Sequence, residues 1–549
     1  MNVGPPERPW MGSWPEHVTK LIDYPEVSLG QMLHRSAGSF PESSALYYSK
    51  QKITFSELEM LAGRFGKALQ ERGVGKGERV ALYLPNIPEF VVAYYGVLRI
   101  GAIGVAISPL YKERELLHIL RDSEARIIVC WDRLLRFVEA ARNKWKLDHV
   151  ITATGLDVSL RASTLTQGNS TLETEDVNTL IAENDGMASL AQVLPRKDVA
   201  LLQYTGGTTG APKGAMLTHH NLVANATQFS TWLGMKAGEI HLAALPLFHI
   251  YGMTVAMNAP ILTSGSIALI PDPRDTNAIL QAIDDLKPTV FCGVPATYLA
   301  IINRSDVDRD RLNSIRVCVS GASPLPMQVQ QKFEELTGGR LVEGYGLTEA
   351  SPVTHVNPLD SPEKNRSGSI GIPISNTEAK IMDPETGEHV QTPGTAGELV
   401  IRGPQVMVGY WHNAQETRMA LRNGWLYSGD IATMDSDGYF RVVDRKKDMI
   451  NVSGMKVWPR EVEEVLCEHP AIKEAAAVAT PDPTSGECVK AFVILRDEYK
   501  GKVQPSEIVE FCKQRIANYK APKIVVFQDT LPKSSVGKIL RRELRDKTM

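Results

Sequence analysis

A short stretch rich in glycine and threonine has the clearest capacity for chemistry in this sequence. Residues 204–214 read Tyr-Thr-Gly-Gly-Thr-Thr-Gly-Ala-Pro-Lys-Gly and follow an apolar run that predicts a buried strand. Glycines allow positive φ angles, so successive backbone N–H groups can form an anion-binding nest. Threonine hydroxyls and Lys213 add side-chain donors. The stretch predicts a phosphate-binding loop rather than a flexible surface loop, and Pro212 excludes a Walker A motif.

This loop closely resembles the phosphate-binding signature of the adenylate-forming enzymes. That superfamily includes acyl- and aryl-CoA synthetases, firefly luciferase and the adenylation domains of peptide synthetases. The resemblance extends over nearly the whole chain, which is most similar to the medium- and long-chain fatty acyl-CoA synthetases. It implies that the following residues contact the phosphates of ATP: Thr205, Gly206, Gly207, Thr208, Thr209, Gly210 and Lys213.

A second motif, Leu-Val-Glu-Gly-Tyr-Gly-Leu-Thr-Glu, spans residues 341–349. The resemblance implies that Tyr345 stacks on adenine, that Thr348 lies near the α-phosphate and that Glu349 binds Mg²⁺, so the last two are catalytic candidates. Mg²⁺ keeps phosphate and water among its ligands, so a single glutamate suffices. The nucleotide contacts implied within this motif are Glu343, Gly344, Tyr345, Gly346 and Thr348.

Two further segments are implied in nucleotide binding. Residues 315–325 read as a strand that runs into a Gly/Ser/Pro turn, and such turns are where open α/β sheets bind ligands. The resemblance makes Gly321, Ala322 and Ser323 a wall against adenine, with an ordinary connecting loop as the alternative. It also implies that Asp430 binds the ribose hydroxyls, which a carboxylate can accept from, and that Arg445 contacts the ribose.

The acyl group is expected in a pocket near the aromatic segment Pro-Leu-Phe-His-Ile-Tyr-Gly. Taken alone, His249 is interpreted as a buried structural histidine rather than a polar gate between the acyl and nucleotide sites, but its position after the phosphate loop matches the family motif and favours the site. In acetate-specific relatives a tryptophan stands where this chain has Gly346, so the glycine favours a longer acyl chain. The pocket residues implied are His249, Tyr251, Met253, Gly321 and Gly346.

The C-terminal segment carries the remaining candidates. The resemblance identifies Lys538 as the catalytic lysine of adenylation and Lys447 as the hinge residue. It places Gly454 beside the CoA thiol channel with Lys456 next to it, in a loop that differs from better-known versions. Lys446 and Asp448 are interpreted as part of a solvated charge run.

The order of apolar runs and helical patterns predicts the fold. Strands and helices alternate through the first part of the chain, which is typical of doubly wound parallel sheets. We therefore predict a large α/β N-terminal domain with a small β section over residues 1–444. The resemblance implies a smaller, mobile α+β domain over residues 445–549, with a hinge at residues 445–448. Residues 155–189 are rich in polar side chains and are predicted to be a solvated loop.

Composition narrows the class of protein. The 549 residues carry a net charge of −3, which gives no footprint of nucleic-acid binding. Six dispersed cysteines without a CxxC pair are typical of reduced thiols in the cytoplasm, and not of a zinc site. The N-terminus lacks a signal-peptide pattern, and the uncharged run 240–271 contains prolines and polar residues that argue against a membrane span. We expect a soluble monomer or homodimer, with peripheral membrane contact left open.

The implied function is ATP-dependent ligation of a fatty acid to coenzyme A through an acyl-AMP intermediate, with Mg²⁺. The partners expected are therefore a small carboxylic acid, ATP and CoA. Three alternatives stay open: an aryl-CoA ligase of the coumarate or benzoate type, an acyl-AMP ligase that loads a carrier protein, and a non-catalytic scaffold. The complete set of lysine, glutamate and aspartate candidates argues against the scaffold.

Overall fold

The structure is a computed structural model that describes residues 8–155, 173–205, 212–383, 387, 392–534 and 537–546. Helices and strands alternate up to residue 205, as the sequence predicts. The elements are α1 (Leu29–Ser39), β1 (Ser44–Tyr48), β2 (Gln51–Thr54), α2 (Phe55–Glu71), β3 (Arg79–Tyr83), α3 (Pro88–Arg99), β4 (Ile103–Ala106), α4 (Glu113–Ser123), β5 (Ile127–Trp131), α5 (Leu135–Arg142), β6 (His149–Ala153), β7 (Glu175–Asp176), α6 (Val177–Glu183) and β8 (Val199–Thr205).

The alternation continues through the middle of the chain. The elements are β9 (Lys213–Thr218), α7 (His219–Leu233), β10 (Ile240–Ala243), α8 (Ile250–Met253), α9 (Ala259–Leu262), β11 (Ser266–Leu269), α10 (Thr276–Leu286), β12 (Val290–Gly293), α11 (Pro295–Ile302), α12 (Arg309–Leu312), β13 (Val317–Ser320), α13 (Met327–Thr337), β14 (Arg340–Gly346), β15 (Val353–Val356), β16 (Ile372–Pro373) and β17 (Glu378–Met382).

The last part of the chain is richer in strands. The elements are β18 (Gly397–Arg402), β19 (Gly409–Tyr410), α14 (Ala414–Ala420), β20 (Leu421–Arg422), β21 (Trp425–Met434), β22 (Phe440–Arg445), β23 (Ile450–Val452), β24 (Met455–Val457), α15 (Pro459–Cys467), β25 (Ile472–Asp482), β26 (Gly486–Leu495), α16 (Pro505–Lys513), β27 (Ile524–Phe527) and α17 (Arg541–Asp546).

Two large sheets form the body of the N-terminal domain. The first has the strand order β19-β9-β8-β4-β3-β5-β6-β7, and the second has the order β16-β15-β14-β13-β12-β10-β11-β1-β2. Their central strands are parallel, whereas β8 pairs with β9 and β14 with β15 in antiparallel fashion. Apolar helices cover the faces, with Leu120 of α4 in one core and Phe90 of α3 in another. The predicted doubly wound α/β class is confirmed, with antiparallel strands added at the sheet edges.

Two smaller sheets complete the structure, one antiparallel and one antiparallel except for the parallel pair β26–β27. Strands β17, β18, β21, β20 and β22 form one, and the β21–β22 hairpin places residues 430 and 445 opposite each other. Strands β24, β23, β26, β25 and β27 form the other, and their core includes Val462, Ala477 and Val493. The small α+β domain predicted at the C-terminal end of the chain is therefore present, with an apolar core of its own.

Within residues 173–189, the described part of the solvated loop predicted over residues 155–189, the chain forms regular structure. Strand β7 and helix α6 lie within this range, and Val177, Leu180 and Ile181 are buried in the N-terminal core. The carboxylate of Asp176 accepts from the backbone N–H of Asn178 and of the next residue, which starts the helix. The prediction was wrong here because three apolar residues at helical spacing suffice to bury a short helix; residues 156–172 lie outside the described part.

Candidate active site

The two strands that lead into and out of the glycine-rich loop are neighbours. Thr205 at the end of β8 lies opposite Lys213 at the start of β9, and the preceding pair joins Tyr204 to Gly214. Thr205 and Lys213 are half-buried at this end of the sheet. Residues 206–211 lie outside the described part of the structure, and they include five predicted phosphate contacts: Gly206, Gly207, Thr208, Thr209 and Gly210. Their predicted contact with phosphate therefore stays a prediction.

Lys213 lies between an acidic side chain and an aromatic ring. Its Nζ is 2.6 Å from Oε2 of Glu416, in the first turn of α14, and 5.6 Å from the ring centroid of Tyr410. Sequence reasoning missed both partners. Both partners are far from Lys213 in the sequence and come close to it through the pairing of β9 with β19, which no local pattern reveals.

Glu349 belongs to the same cluster. It lies in a single helical turn, Thr348–Ala350, directly after β14, and its Oε1 accepts a hydrogen bond of 2.7 Å from the Tyr410 hydroxyl. Burial, and then the charge of Glu349, raise the pKa of Tyr410, so that hydroxyl remains a donor. Tyr410 thus joins the predicted metal ligand to the predicted phosphate-binding lysine, and Thr348 stands half-buried at the start of the same turn.

A second cluster unites three residues that the sequence analysis assigned to nucleotide binding. Nε of Arg445 is 2.6 Å from Oδ1 of Asp430, and the Tyr345 hydroxyl donates to the other oxygen of the same carboxylate. The carboxylate is only 3% exposed, so a charge is held in place by two donors. The attraction of Asp430 raises the pKa of Arg445, which keeps the guanidinium charged. A ribose with two hydroxyls would meet an acceptor and a donor here.

The residues predicted as the adenine wall follow β13. Gly321 donates its N–H to the Gly293 carbonyl, and a Cβ at this glycine would lie 3.0 Å from Cζ of Tyr251. The Tyr251 hydroxyl donates to the Val319 carbonyl at 2.9 Å, which fixes that ring against the turn. Ala322 has a φ of +67°, and Ser323 is half-buried. The turn is therefore tight, and a glycine is needed where the tyrosine approaches.

Glu343 and Gly346 have structural roles within β14 that the motif did not indicate. Glu343 is buried, and its Oε2 accepts from the backbone N–H of Leu325 at 3.1 Å. Burial raises the pKa of Glu343 to about 7. A Cβ at Gly346 would lie 2.1 Å from the carbonyl oxygen of Pro352, so only glycine fits. Gly344 lies between them, half-buried in the same strand.

His249 precedes α8 and caps it. Its Nδ1 accepts from the backbone N–H of Tyr251 at 3.2 Å, so in the neutral ring the proton sits on Nε2. Burial lowers the pKa of His249 to about 4, so the ring is neutral at pH 7. Met253 is fully buried one turn later. The structural and the functional interpretation of His249 therefore coexist, since Nδ1 holds the helix and Nε2–H remains a donor.

Lys538 reaches the second cluster from the small domain. The repulsion of Arg445 first, and burial second, lower the pKa of Lys538 to about 7, against the attraction of Asp430. Because the side chain also has access to solvent, screening reduces this effect. Lys447, in the turn that follows β22, is exposed as well, and burial of its stem and the Arg445 charge lower its pKa. The two lysines thus belong to one cationic environment centred on Arg445.

The residues predicted to meet CoA lie on a hairpin of the small domain. Gly454 joins β23 to β24 with a φ of +85°, and its N–H donates to Oδ1 of Asn451 at 2.9 Å. Gly454 and Lys456 are both exposed. Their predicted role stays a prediction.

A buried ionic cluster joins the two domains close to Lys538. Arg541 at the start of α17 makes paired hydrogen bonds of 3.0 and 2.6 Å to Glu463. The same guanidinium is 3.1 Å from Asp444 of β22 and 3.3 Å from Asp448 in the turn that follows this strand. Asp448 is only 6% exposed at its side chain and also binds Arg545. Its interpretation as a solvated charge was wrong, whereas Lys446 is half-exposed and pairs with Glu398.

With this geometry established, comparison with known proteins decides the family. The model of the AMP-binding enzyme matches residues 33–411, and that of the AMP-binding enzyme C-terminal domain matches residues 461–538. The chain belongs to the AMP-binding enzyme family. Both matched regions contribute to the site, since Tyr345 lies in the first and Lys538 in the second.

Several relatives match the AMP-binding enzyme over almost its full length. A long-chain-fatty-acid–CoA ligase of Bacillus subtilis strain 168 is 41% identical, with 98% of each chain covered, and one of Escherichia coli O157:H7 is 40% identical over the same shares. Among solved structures, the anthranilate CoA ligase AuaEII with anthranoyl-AMP has a TM-score of 0.85 at 30% identity. That alignment covers 96% of this chain and 98% of the other.

The described residues contain neither a membrane-spanning helix nor a cluster of protein metal ligands. None of the helices in the described ranges is long and apolar enough to cross a membrane. Within the same ranges, three or more His, Cys, Asp or Glu side chains do not converge on a point where a metal ion could be held by protein ligands alone.

The ionic cluster at the domain junction generates the first prediction. In Arg541→Ala, Asp444 and Glu463 stay buried without their main cation, and breaking a buried pair costs about 3–5 kcal/mol. Burial already raises the pKa of both carboxyl groups, and loss of Arg541 raises them further. Protonation relieves the defect, so the loss of thermal stability relative to wild type should shrink as the pH falls from 8 to 5. Calorimetric Tm values across this range measure it.

Lys520→Ala is the matched control for that variant. Lys520 pairs with Glu461 at 2.6 Å within the small domain, where both side chains are more exposed. We expect a small Tm deficit with little dependence on pH. Equal deficits in the two variants at every pH would contradict a role for Arg541 beyond that of an ordinary surface ion pair.

Proposed function

We propose that the protein is an ATP-dependent fatty acid–CoA ligase that works through an acyl-AMP intermediate. The observation that carries this proposal is the convergence of Tyr345, Asp430 and Arg445 with Lys538 of the small domain. Relatives about 40% identical over 98% of the chain are named long-chain-fatty-acid–CoA ligases, which supports the same reaction and substrate class.

In the first step, a carboxylate oxygen of the acid attacks the α-phosphorus of ATP and pyrophosphate leaves. Two anions must approach each other, so fixed cations and N–H donors supply most of the stabilisation. Lys538 would bridge the carboxylate and the α-phosphate, while Arg445 and Asp430 orient the ribose. Lys213 and the glycine-rich loop would hold the departing phosphates. Glu416 neutralises Lys213 in this structure, and the phosphates would take its place.

Mg²⁺ fits the residues present, with Glu349 as its protein ligand. The chemistry of the donor set supports this: a half-buried carboxylate stands beside the lysine assigned to the phosphates, fixed by the Tyr410 hydroxyl. When bound, the ion neutralises phosphate charge and orients the leaving group. The hydroxyl of Thr348 would complete the contacts to the α-phosphate.

In the second step, the CoA thiolate attacks the acyl carbon and AMP leaves. Gly454 and Lys456 are proposed to line the thiol channel, but their exposed hairpin serves a different step from Lys538. A rotation of the small domain between the steps accounts for both. We place the domain boundary between residues 444 and 445, with Lys447 as the pivot.

The substrate is proposed to be a medium- or long-chain fatty acid. The relatives named above support this, whereas the open floor inferred from Gly346 supports it less, because the Pro352 carbonyl requires a glycine there. The acyl pocket would be lined by His249, Tyr251 and Met253. An aromatic acid is the second candidate, since a structure of an anthranilate CoA ligase superposes with a TM-score of 0.85.

The remaining expectations concern the state of the protein in the cell. We propose a cytoplasmic enzyme, monomeric or homodimeric, with six reduced cysteines that form no disulfide in the structure. Peripheral contact with a membrane stays open as a means of receiving the acid.

A substrate panel tests the proposed function. ATP- and CoA-dependent release of AMP should be measured with straight-chain acids from acetate to palmitate, and with benzoate and cinnamates. We expect a maximum of kcat/KM among medium or long alkyl acids. A maximum on aromatic acids would show that the substrate is an aromatic acid. Release of AMP without CoA, in the presence of a carrier protein, would show that the acceptor is the carrier protein. Absence of ATP–pyrophosphate exchange with every acid would reject the function.

The division of labour between the two steps can be tested at Lys538. In Lys538→Ala, adenylation loses the cation that bridges the two anions, so it should slow by orders of magnitude. Conversion of supplied acyl-AMP and CoA to acyl-CoA should stay close to wild type, because Lys538 is not assigned to that step. Rapid-quench assays of each half-reaction provide the measurement, and an equal loss in both would refute the assignment.

The lowered pKa of Lys538 makes a prediction about proton uptake. Because the repulsion of Arg445 and burial lower the pKa of Lys538 toward about 7, a fraction of the lysine is neutral at pH 8 before ATP binds. Bound phosphates favour the charged form and raise the pKa, so binding at pH 8 should take up as much as about one proton. At pH 6 the lysine is already protonated and the uptake should fall.

Calorimetric titration in two buffers of different ionisation enthalpy gives the number of protons. Lys538→Ala is the control, since it keeps every other titrating group. Equal proton numbers for wild type and variant at pH 8 would show that Lys538 is charged before the nucleotide arrives.

A further inference from the structure

Helix α4 stands outside the active site, yet two of its side chains reach the strands that frame the glycine-rich loop. His118 and Asp122 are four residues apart, so they lie one turn apart on the same face of the helix. Both are directed at the β8–β9 pair, and neither was singled out in the sequence.

His118 holds the outgoing strand. Its Nε2 lies 3.0 Å from the carbonyl oxygen of Pro212, the residue before Lys213. A carbonyl oxygen only accepts, so Nε2 carries the proton in this bond whether the ring is neutral or charged. Proline has no N–H, so this carbonyl is its only backbone group for hydrogen bonding. The bond therefore fixes the point at which the chain leaves the loop.

Asp122 holds the incoming strand. Its Oδ2 accepts a hydrogen bond of 2.6 Å from the Tyr204 hydroxyl, and the Tyr204 ring covers Gly214 of the neighbouring strand. The Asp122 carbonyl also accepts from Nε1 of Trp411 at 3.0 Å, while the Trp411 backbone N–H donates to the Gly214 carbonyl at 2.8 Å. One helical turn is thus bonded to both strands and to the segment beside them.

We propose that His118 and Asp122 are positioning residues that set the affinity for the phosphates of ATP by fixing the strand ends at residues 204–205 and 212–213. Lys213, the described residue assigned to the phosphates, follows Pro212 directly, so its position depends on the bond from His118. This inference rests on the proposed function, because it assigns Lys213 to ATP. The inference assigns a role to helix α4, although no bond described above joins this helix to the nucleotide cluster at Asp430 or to the acyl pocket.

The test separates the ATP-dependent step from the CoA-dependent step. In His118→Ala the KM for ATP in pyrophosphate exchange should rise about fivefold to tenfold, the scale of one lost hydrogen bond, with a smaller change in kcat. Thioester formation from supplied acyl-AMP should stay within about twofold of wild type. Asp122→Ala should give the same pattern, because it releases the other strand.

Two further variants distinguish positioning from general folding. His118→Gln carries an amide donor near the position of Nε2 and should restore most of the affinity for ATP. Arg121→Ala is the matched control on the same helix, since Arg121 donates to the Lys144 carbonyl and not to the loop strands. It should behave as wild type in both half-reactions.

Three results would overturn the inference: an unchanged KM for ATP in His118→Ala, an equal loss in both half-reactions, or failure of glutamine to improve on alanine. Equilibrium dialysis of wild type and His118→Ala with Mg-ATP alone gives a readout independent of turnover. If wild type binds ATP but ligates none of the acids, the proposed function fails while weaker binding by the variant still supports the positioning role. If wild type ligates acids and both proteins bind ATP equally, only the positioning role fails.

Discussion

The ion pair between Asp430 and Arg445 is the interaction on which the candidate site depends. The two residues lie opposite each other in the β21–β22 hairpin, so backbone pairing alone brings their side chains together. The nearly buried carboxylate is held in place because Arg445 and the Tyr345 hydroxyl both donate to it. Arg445 in turn lowers the pKa of Lys538, so the charge of the hairpin acts on the protonation of that lysine.

Strand β22 also connects this pair to the position of the small domain. Asp444 and Arg445 are consecutive in a strand, so their side chains point to opposite faces. Arg445 binds within the nucleotide cluster, whereas Asp444 accepts from Arg541 and from the backbone N–H of Arg460, both in the small domain. The attraction between Arg541 and Asp444 thus holds Lys538, three residues before Arg541, against the repulsion of Arg445. Weakening that attraction would favour release of the domain.

The sequence predicted the fold class from local periodicity and, through the family resemblance, the small C-terminal domain. Local signals need no distant partner: the capping box of α2, for example, joins Thr54 to Glu57 only three residues away. The candidate residues Tyr345, Asp430 and Arg445 were found from motifs and do converge. Tyr410, Glu416, His118 and Arg541 were not found, because their partners are distant in sequence and each residue type alone is ordinary. The buried state of Asp448 was likewise hidden, since a charge run usually indicates solvent.

Gly346 shows how one residue can satisfy two constraints that a sequence does not separate. By resemblance, a glycine at this position indicates an open acyl pocket. In the structure, the Pro352 carbonyl approaches so closely that any Cβ is excluded, whatever the substrate. A substrate preference inferred from Gly346 therefore rests on a position that the backbone of this chain already fixes. The side chains proposed to line the acyl pocket, such as the buried Met253 and the Tyr251 ring held by the Val319 carbonyl, are better candidates for limiting the length of the acyl chain.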